Sequence, residues 1–389
     1  MTSQEIALAR VGTAIDAIKR GGMVIMVDDE DRENEGDLVF AAAHVTPEKI
    51  NFMTKEARGL ICLSLEKAAI ERLQLPMMED SGRRGPSKST AFTVSIEARE
   101  GVSTGISAAD RSHTVKVAAD PHARPDDIVV PGHIFPLKAR TGGVLQRAGH
   151  TEGSVDLVHL AGFNSAAVIC EIMNDDGTMA RMPDLERFAA KHAIPIVTIA
   201  DIVTFRLLHE SFIEVQASGP VKTAYGTFTG YLFKSQIDDL SHMALVKGRG
   251  EDERFDDRIV DVRVHRQRPL ADVFSDPTSG SRHRIEHGLK LLQESPAAVL
   301  IYLSYPEAQA GLADDFLTLL PKSPREERPK LDWLEPDSRL LGVGAQILRH
   351  LGVQKMRAHM AHPVPLKGLA GFGLEVVDTI CLRPDAISS

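Results

Sequence analysis

Seven carboxylates fall within ten residues at Asp28-Asp29-Glu30-Asp31-Arg32-Glu33-Asn34-Glu35-Gly36-Asp37. Crowded carboxylates repel one another, and a fold keeps them together when a hard cation or bound polar groups compensate. The ordinary reading of a charge run is a solvated loop. Here two apolar segments, MVIMV and LVFAAAHV, flank the run directly and pin its ends in a core. Magnesium suits such a loop because it takes oxygen ligands and shares itself with water and substrate, so one or two protein ligands suffice. A second pattern is Gln146-Arg147-Ala148-Gly149-His150-Thr151-Glu152. A glycine beside a cap-type threonine at a helix start presents free N–H groups and the positive end of the helix dipole to an anion. Arg147 adds a planar cation suited to phosphate. The same residues also fit an ordinary helix N-cap beside an exposed histidine.

Three further groups stand out. His133 lies between prolines in Pro131-Gly132-His133-Ile134-Phe135-Pro136, where a histidine taken alone reads as structural. Glu171 comes late in the apolar run Ala166–Met173. A carboxylate there is costly unless it is paired, used, or placed at the strand's exposed end. Ser103-Thr104-Gly105-Ile106-Ser107 and Thr90 offer hydroxyls that fit a polyol, and fit turn and cap chemistry slightly better.

The elements that must position these groups are legible in part. Ala7, Val11, Ile15 and Ile18 share one face of an N-terminal helix that Gly21-Gly22 stops. Met23–Val27 reads as a strand buried on both faces. Thr46-Pro47-Glu48 is an N-cap, a first-turn proline and a first-turn acid, opening a helix to about Arg58. Leu60–Leu65 and Ala91–Ile96 read as strands, with a polar loop over Glu79–Ser89 that carries Arg83, Arg84 and Lys88. Ser107 and Asp110 cap a helix running to about Ala118. Ala166–Met173, the turn Asn174-Asp175-Asp176-Gly177, and then Pro183–His192, Ile194–Ile199 and Asp201–Leu208 give strand, turn, helix, strand, helix. The second half offers strands at Thr227–Lys234, His242–Lys247, Arg258–His265 and Ala298–Leu303. It also offers helices near Arg282–Gln293 and Leu340–Leu351 and an exposed loop at Pro321–Pro329. The expected class is α+β, with two domains, 1–206 and 207–389, each a layered mixed sheet with packed helices.

Composition excludes several functions. The net charge of −9 argues against nucleic-acid binding, which needs a basic footprint. Cys62, Cys170 and Cys381 are few, odd in number and widely spaced, so neither a disulfide framework nor a cysteine zinc site is expected, and a reducing cytoplasm fits. The N-terminus lacks the apolar stretch of a signal peptide. No run approaches the roughly 20 apolar residues of a membrane span.

Six motifs in order, DDEDRENEGD, TAFTVSIEAR, TGISAADR, PGHIFPLKA, RAGHTEGSVDL and CEIMNDDGTMAR, resemble those of 3,4-dihydroxy-2-butanone-4-phosphate synthase across residues 8–206. The resemblance implies conversion of D-ribulose 5-phosphate to 3,4-dihydroxy-2-butanone 4-phosphate and formate, in riboflavin biosynthesis. It implies a cytoplasmic homodimer using two Mg²⁺ or Mn²⁺ ions per site. Carried over by motif, Glu33 and His150 would hold the metal. Arg32, Glu33, Asp37, Arg147, Ala148, Gly149, His150, Thr151 and Glu171 would contact the substrate. His133 and Glu171 match positions the family treats as essential to catalysis. Asp37 and Glu35 are both candidates for the first general base. The loop Met78–Thr90 is slightly longer and more basic than the family's.

The second half resembles GTP cyclohydrolase II in Asp337-Ser338-Arg339, Gly342–Leu348 and Gly371–Val377. The family's three zinc-binding cysteines fall on Arg268, Ser279 and Ser281, so zinc is not expected there. Its phosphate motif falls on Tyr305–Ala308, and its threonine-asparagine-asparagine on Met360, Ala361 and His362; both are lost. The expectation is a domain without cyclohydrolase activity. The alternative is a bifunctional enzyme with an atypical metal site drawn from His265, His283 and His287.

Overall fold

The computed structural model describes residues 3–29, 32–78, 91–236, 240–249, 255, 257–274, 280–304, 336–361 and 369–382, by backbone alone at 3, 336–341 and 370–371. The expected polar loops at Glu79–Ser89 and Pro321–Pro329, with Thr90, lie outside them. The chain divides into two compact units, Met1–Leu207 and Leu208–Ser389.

In the first unit the apolar stripe of Ala7, Val11, Ala14 and Ile18 makes α1 (Ser3–Lys19). It is followed by β1 (Val24–Val27) and β2 (Gly36–Ala41), each buried at every position, the acidic run forming their connection. Next come α2 (Pro47–Phe52), β3 (Cys62–Leu65), α3 (Lys67–Arg72), β4 (Ile96–Ala98), α4 (Ala108–Ala119), β5 (Ile128–Lys138), α5 (His150–Leu160), β6 (Ala166–Glu171), α6 (Met182–His192), β7 (Ile196–Thr198) and α7 (Ile199–His209). Thr46 caps α2, its hydroxyl accepting from Lys49 N at 3.3 Å, and Ser107 caps α4, accepting from Asp110 N at 3.0 Å. The helix expected to reach Arg58 continues past α2 as a wide π turn, Met53–Ala57, ended by Arg58 at φ +69°.

The sheet order is β4-β5-β3-β6-β2-β1-β7. One face of its central strands (Ile25, Val27, Leu38, Phe40, Leu63, Val168 and Cys170) joins Ile50, Ile70, Val115 and Leu185 from α2, α3, α4 and α6 in one core. The opposite face carries α5, with α1 packed on it. Gly153 lets α5 sit close to β1, because a Cβ there would lie 2.6 Å from Met26 Sδ. The expected strand Ala91–Ile96 is displaced: Phe92 and Thr93 make only isolated bridges, and regular pairing starts at Ile96. Thr93 is fully buried with its hydroxyl bonded to backbone carbonyls, so the apparent alternation there is not a sheet face.

The second unit contains β8 (Ile213–Thr223), β9 (Gly226–Ser235), β10 (Ser241–Lys247), β11 (Ile259–Arg266), α8 (Pro269–Phe274), α9 (Ser281–Glu294), β12 (Ala298–Leu303), α10 (Pro336–His350), β13 (Lys355–Met360) and β14 (Glu375–Cys381). Its sheet order is β14-β13-β11-β12-β10-β9-β8, antiparallel from β8 through β12 and parallel from β12 to β14. The chain therefore has two units, each a seven-stranded mixed sheet with helices, as the α+β expectation required. Among the described residues no helix is long and apolar enough to cross a membrane.

Candidate metal and substrate site

Asp28 ends β1 and turns the acidic run into a closed loop. Its carboxylate accepts from Arg32 Nη1 at 2.7 Å, Glu33 N at 3.2 Å and Glu35 N at 2.8 Å. Asn34 completes the turn at φ +55°, a conformation asparagine tolerates. Arg181, at the start of α6, clamps the loop from outside, donating to Glu33 O at 2.7 Å and to Asn34 O. Arg181 was not among the candidates; its signal was its place as the last residue of CEIMNDDGTMAR. The outer Glu33 carboxylate pairs with Arg32 at 2.7 Å and remains exposed.

Two strands and one helix start converge beside this loop. His150 is the first residue of α5, behind the Gly149 N-cap, and is 6% exposed. Asp37 on β2 is 3% exposed. His150 Nε2 and Asp37 Oδ1 lie 3.9 Å apart, and neither has a hydrogen-bond partner. Donor atoms of Asp28, Glu33 and His150 lie within 4.8 Å of one another. Burial pushes the His150 pKa down despite the nearby acids, which leaves a neutral imidazole with a lone pair. Burial, then Glu171 and Glu35, pushes Asp37 well up, and burial with Glu33 raises Glu35. One imidazole set among carboxylate oxygens, with two buried polar atoms unsatisfied, fits a divalent cation that accepts oxygen and nitrogen ligands. Asp28 is spent on the loop, whereas the exposed Glu33 carboxylate, paired with Arg32, and the unpartnered His150 Nε2 could both reach such an ion.

Glu171 ends β6 directly opposite Asp37 in the β2–β6 register. Its Oε2 accepts from Leu60 N at 2.9 Å. Gly59 makes this approach possible, since a Cβ there would lie 2.3 Å from Glu171 O. Glu171 is therefore a strand-end carboxylate with a partner, beside a second carboxylate.

The helix start differs from expectation at Arg147. Instead of facing outward it is buried, and its Nη1 bonds Glu152 Oε2 at 2.7 Å. Glu152 Oε1 also accepts from Arg140 N at 3.0 Å. A Cβ on Gly149 would lie 2.4 Å from Arg147 Nη1, so any larger residue would have to push the guanidinium aside from Glu152. By helix geometry the first N–H groups of α5, around His150 and Thr151, have no intrahelical acceptor and remain suited to an anion. Ala148 is the half-buried residue between Arg147 and the Gly149 cap.

His133 is not brought to these donors. It lies on β5, which is separated from β2 by β3 and β6. Cys62 pairs with Phe135 and with Ile169, and Glu171 with Asp37, so His133, two residues before Phe135, lies toward the same end of the sheet as Glu171 and Asp37. Three strand spacings separate β5, which carries His133, from β2, which carries Asp37, by about 14 Å. The hydroxyls at Ser103 and Ser107 serve Asp110 and the α4 cap, so the turn reading holds for them.

In the second unit the candidate histidines separate. His265 Nε2 bonds Asp272 at 3.1 Å, and Asp272 also takes Ser281 Oγ at 2.6 Å, Tyr302 Oη at 2.8 Å and Arg268 N at 2.9 Å. His287 instead meets His359 at 3.2 Å, which meets Asp261 at 2.9 Å. Two of the three positions where the thiolates fell, Arg268 and Ser281, serve this polar network; Ser279 lies outside the described residues, as do Tyr305–Ala308 and His362. Arg339 lies on α10.

Residues 12–205 match the family profile of 3,4-dihydroxy-2-butanone 4-phosphate synthase, and residues 214–381 that of GTP cyclohydrolase II. The chain is 47% identical to the 3,4-dihydroxy-2-butanone 4-phosphate synthase of Neisseria meningitidis serogroup B, over 92% of this chain and 94% of that one. It is 46% identical to the riboflavin biosynthesis protein RibBA of Aquifex aeolicus, over 98% and 94%. A crystal structure of RibBX, a two-domain 3,4-dihydroxy-2-butanone 4-phosphate synthase from A. baumannii, superposes with a TM-score of 0.75 at 41% identity, covering 96% of this chain and 99% of that one.

Proposed function

The chain belongs to the 3,4-dihydroxy-2-butanone 4-phosphate synthase family, a lyase of riboflavin biosynthesis, and from that premise we propose how its site works and what its second domain does. D-Ribulose 5-phosphate binds at the acidic loop with magnesium or manganese, two ions per site, held by Glu33 and His150. The observation that carries this is the pair of buried, unpartnered atoms His150 Nε2 and Asp37 Oδ1, 3.9 Å apart beside Glu33. When bound, the metal supplies electrophilic polarisation of the substrate's carbonyl and hydroxyl oxygens. His150 offers a neutral nitrogen, and Asp28 with Arg32 and Arg181 holds the loop in register. Asp37, Glu35 and Glu171 supply neighbouring carboxyl groups able to give and take protons along one side of the sugar. The free N–H groups at the start of α5 receive the phosphate, with Arg147 and Thr151 behind them.

Purified protein with ribulose 5-phosphate and Mg²⁺ should release formate; EDTA should stop it and added Mg²⁺ restore it. Folded, metal-loaded protein that releases no formate would overturn the reading.

The active unit is a homodimer. Leu60, whose N–H bonds Glu171, and Val130, three residues before His133 on β5, are 42% and 51% exposed, and a second copy covers them. The second domain is without cyclohydrolase activity, because Arg268, Ser279 and Ser281 provide no thiolate. Pyrophosphate released from GTP would favour the bifunctional alternative instead.

A further inference from the structure

Asp261 lies on β11, an inner strand of the second sheet, between β12 and β13. It is 9% exposed. A buried carboxylate on an inner strand costs stability unless it is paired or used. Its Oδ1 accepts from His359 Nε2 at 2.9 Å and from Arg357 Nη1 at 3.3 Å. His359, on β13, is 6% exposed, and its other ring nitrogen, Nδ1, lies 3.2 Å from Nε2 of the half-buried His287 on α9. Gly288 brings α9 this close to the sheet, since a Cβ there would lie 2.7 Å from Leu300 Cδ1. Three elements thus contribute to one line of groups, carboxylate to imidazole to imidazole.

The bond to Asp261 decides the His359 tautomer. Nε2 carries the proton that is donated, so Nδ1 presents a lone pair toward His287. Burial, then His359 and Arg263, holds the His287 pKa below its ordinary value, which keeps that ring neutral near pH 7. The rings are tilted by 40° with centroids 5.4 Å apart, so they meet nitrogen to nitrogen and not face to face. Two imidazole nitrogens on one tetrahedral zinc ion, each about 2.0–2.1 Å from it, lie about 3.3–3.4 Å apart. The observed separation is within reach of that value. A ligating histidine commonly donates its other N–H to a carboxylate, which orients the ring and strengthens it as a ligand. Asp261 stands in that position.

We propose that His287 Nε2 and His359 Nδ1 bind a zinc-type divalent ion, with Asp261 behind His359 and water in the remaining positions. The ion would tie α9 to β13 and so brace the second unit. This site is separate from the lost cyclohydrolase zinc position, where Arg268 and Ser281 serve Asp272 instead. It is also separate from the acidic loop of the first unit, and it does not depend on the lyase reading. Imidazole nitrogen favours zinc, cobalt and nickel over magnesium, so the two sites differ in the metal they select.

Full-length protein stripped with EDTA, returned to excess Mg²⁺ and dialysed against micromolar Zn²⁺ should retain one more zinc ion per chain than His287→Gln or His359→Gln. His287→Gln alters a half-buried helix position, so its far-ultraviolet circular dichroism should match that of the wild type. Zinc should raise the Tm of the wild type and leave that of His287→Gln unchanged. Asp261→Asn should weaken zinc binding about tenfold or more. Cobalt in place of zinc should give the visible absorption of a nitrogen-ligated ion in the wild type, and His287→Gln should lose it. Glu33→Ala should keep the additional zinc, because the acidic loop is not its site. Equal zinc in the wild type and a folded His287→Gln overturns the proposal, as does a wild type that needs millimolar zinc or a Glu33→Ala variant that loses the ion. The two rings then share a proton and hold no metal.

Discussion

Asp28 and Asp37 stand at the two ends of the same acidic run, and the chain uses them oppositely. Asp28 spends both oxygens on Arg32 and two backbone N–H groups. Asp37 keeps one oxygen unspent against His150. The run's composition showed that something must compensate seven acids, but not which acid is framework, because that depends on where Arg32 and the loop's N–H groups point after folding. The same limit appears at Arg147. Its type and position beside a helix start predicted a phosphate cation, yet Glu152, one turn along α5, takes the guanidinium at 2.7 Å. This pair is nearly dry, with side chains 10% and 1% exposed. Glu152→Ala should therefore cost about 3–5 kcal/mol, since it removes the carboxylate facing a buried cation and frees Arg140 N. Thermal unfolding should show the loss, and the KM for ribulose 5-phosphate should rise as Arg147 shifts beneath the helix start. A variant as stable as the wild type would show that Arg147 reaches water instead.

Elements whose apolar pattern and end signals agree were legible: α1, β1, α2, α4 and β12 fall where the sequence places them. Elements shaped by a neighbour were not. β4 starts at Ile96 because the segment before it is tied by Thr93 to the Pro136 carbonyl, and a bulge in β5 follows from packing against β4. β8 and β14 were missed because their residues are mostly exposed and carry no inward alternation. β11 shows the reverse problem. Asp261, Arg263 and His265 alternate with valines as on a solvated face, yet all three are buried. Their burial has a measurable consequence. Around His265 stand Asp272 of α8, Arg263 of its own strand and Arg284 of α9. Burial holds the His265 pKa below its ordinary value, against the pull of Asp272. The unfolded chain therefore takes up this proton at higher pH than the folded one. The stabilisation is present above about pH 6.5 and is lost as pH falls, at no more than about 1.4 kcal/mol per pH unit for one proton. Chemical denaturation of the full chain at pH 7 and pH 5.5 should show this loss, and His265→Gln should reduce the pH dependence. Equal slopes in both proteins would place the titration elsewhere.

At the scale of the molecule, the two halves were distinguishable in sequence because strands and helices intermingle in the first, whereas three strands follow one another in the second. What the sequence could not express is the distance between its own motifs. RAGHT and DRENEGD meet at one end of the sheet, while PGHIFPLKA lies two strands beyond Glu171. His133, on a strand about 14 Å from that of Asp37, is too far to serve the metal-bound end of a five-carbon sugar held by its own chain. Val130 on its own strand and Leu60, just before the adjacent β3, are the exposed apolar residues that a second copy would cover. A two-fold axis there would bring the His133 of each chain to the acidic loop of the other. Glu33→Ala and His133→Ala should each abolish formate release as homodimers. Co-refolded in equal amounts, they form heterodimers in which one of the two sites has both residues. The mixture should recover about a quarter of wild-type activity, because half the dimers are mixed and half their sites intact. If His133 acted within its own chain, every mixed site would lack one group or the other, and the mixture would stay inactive.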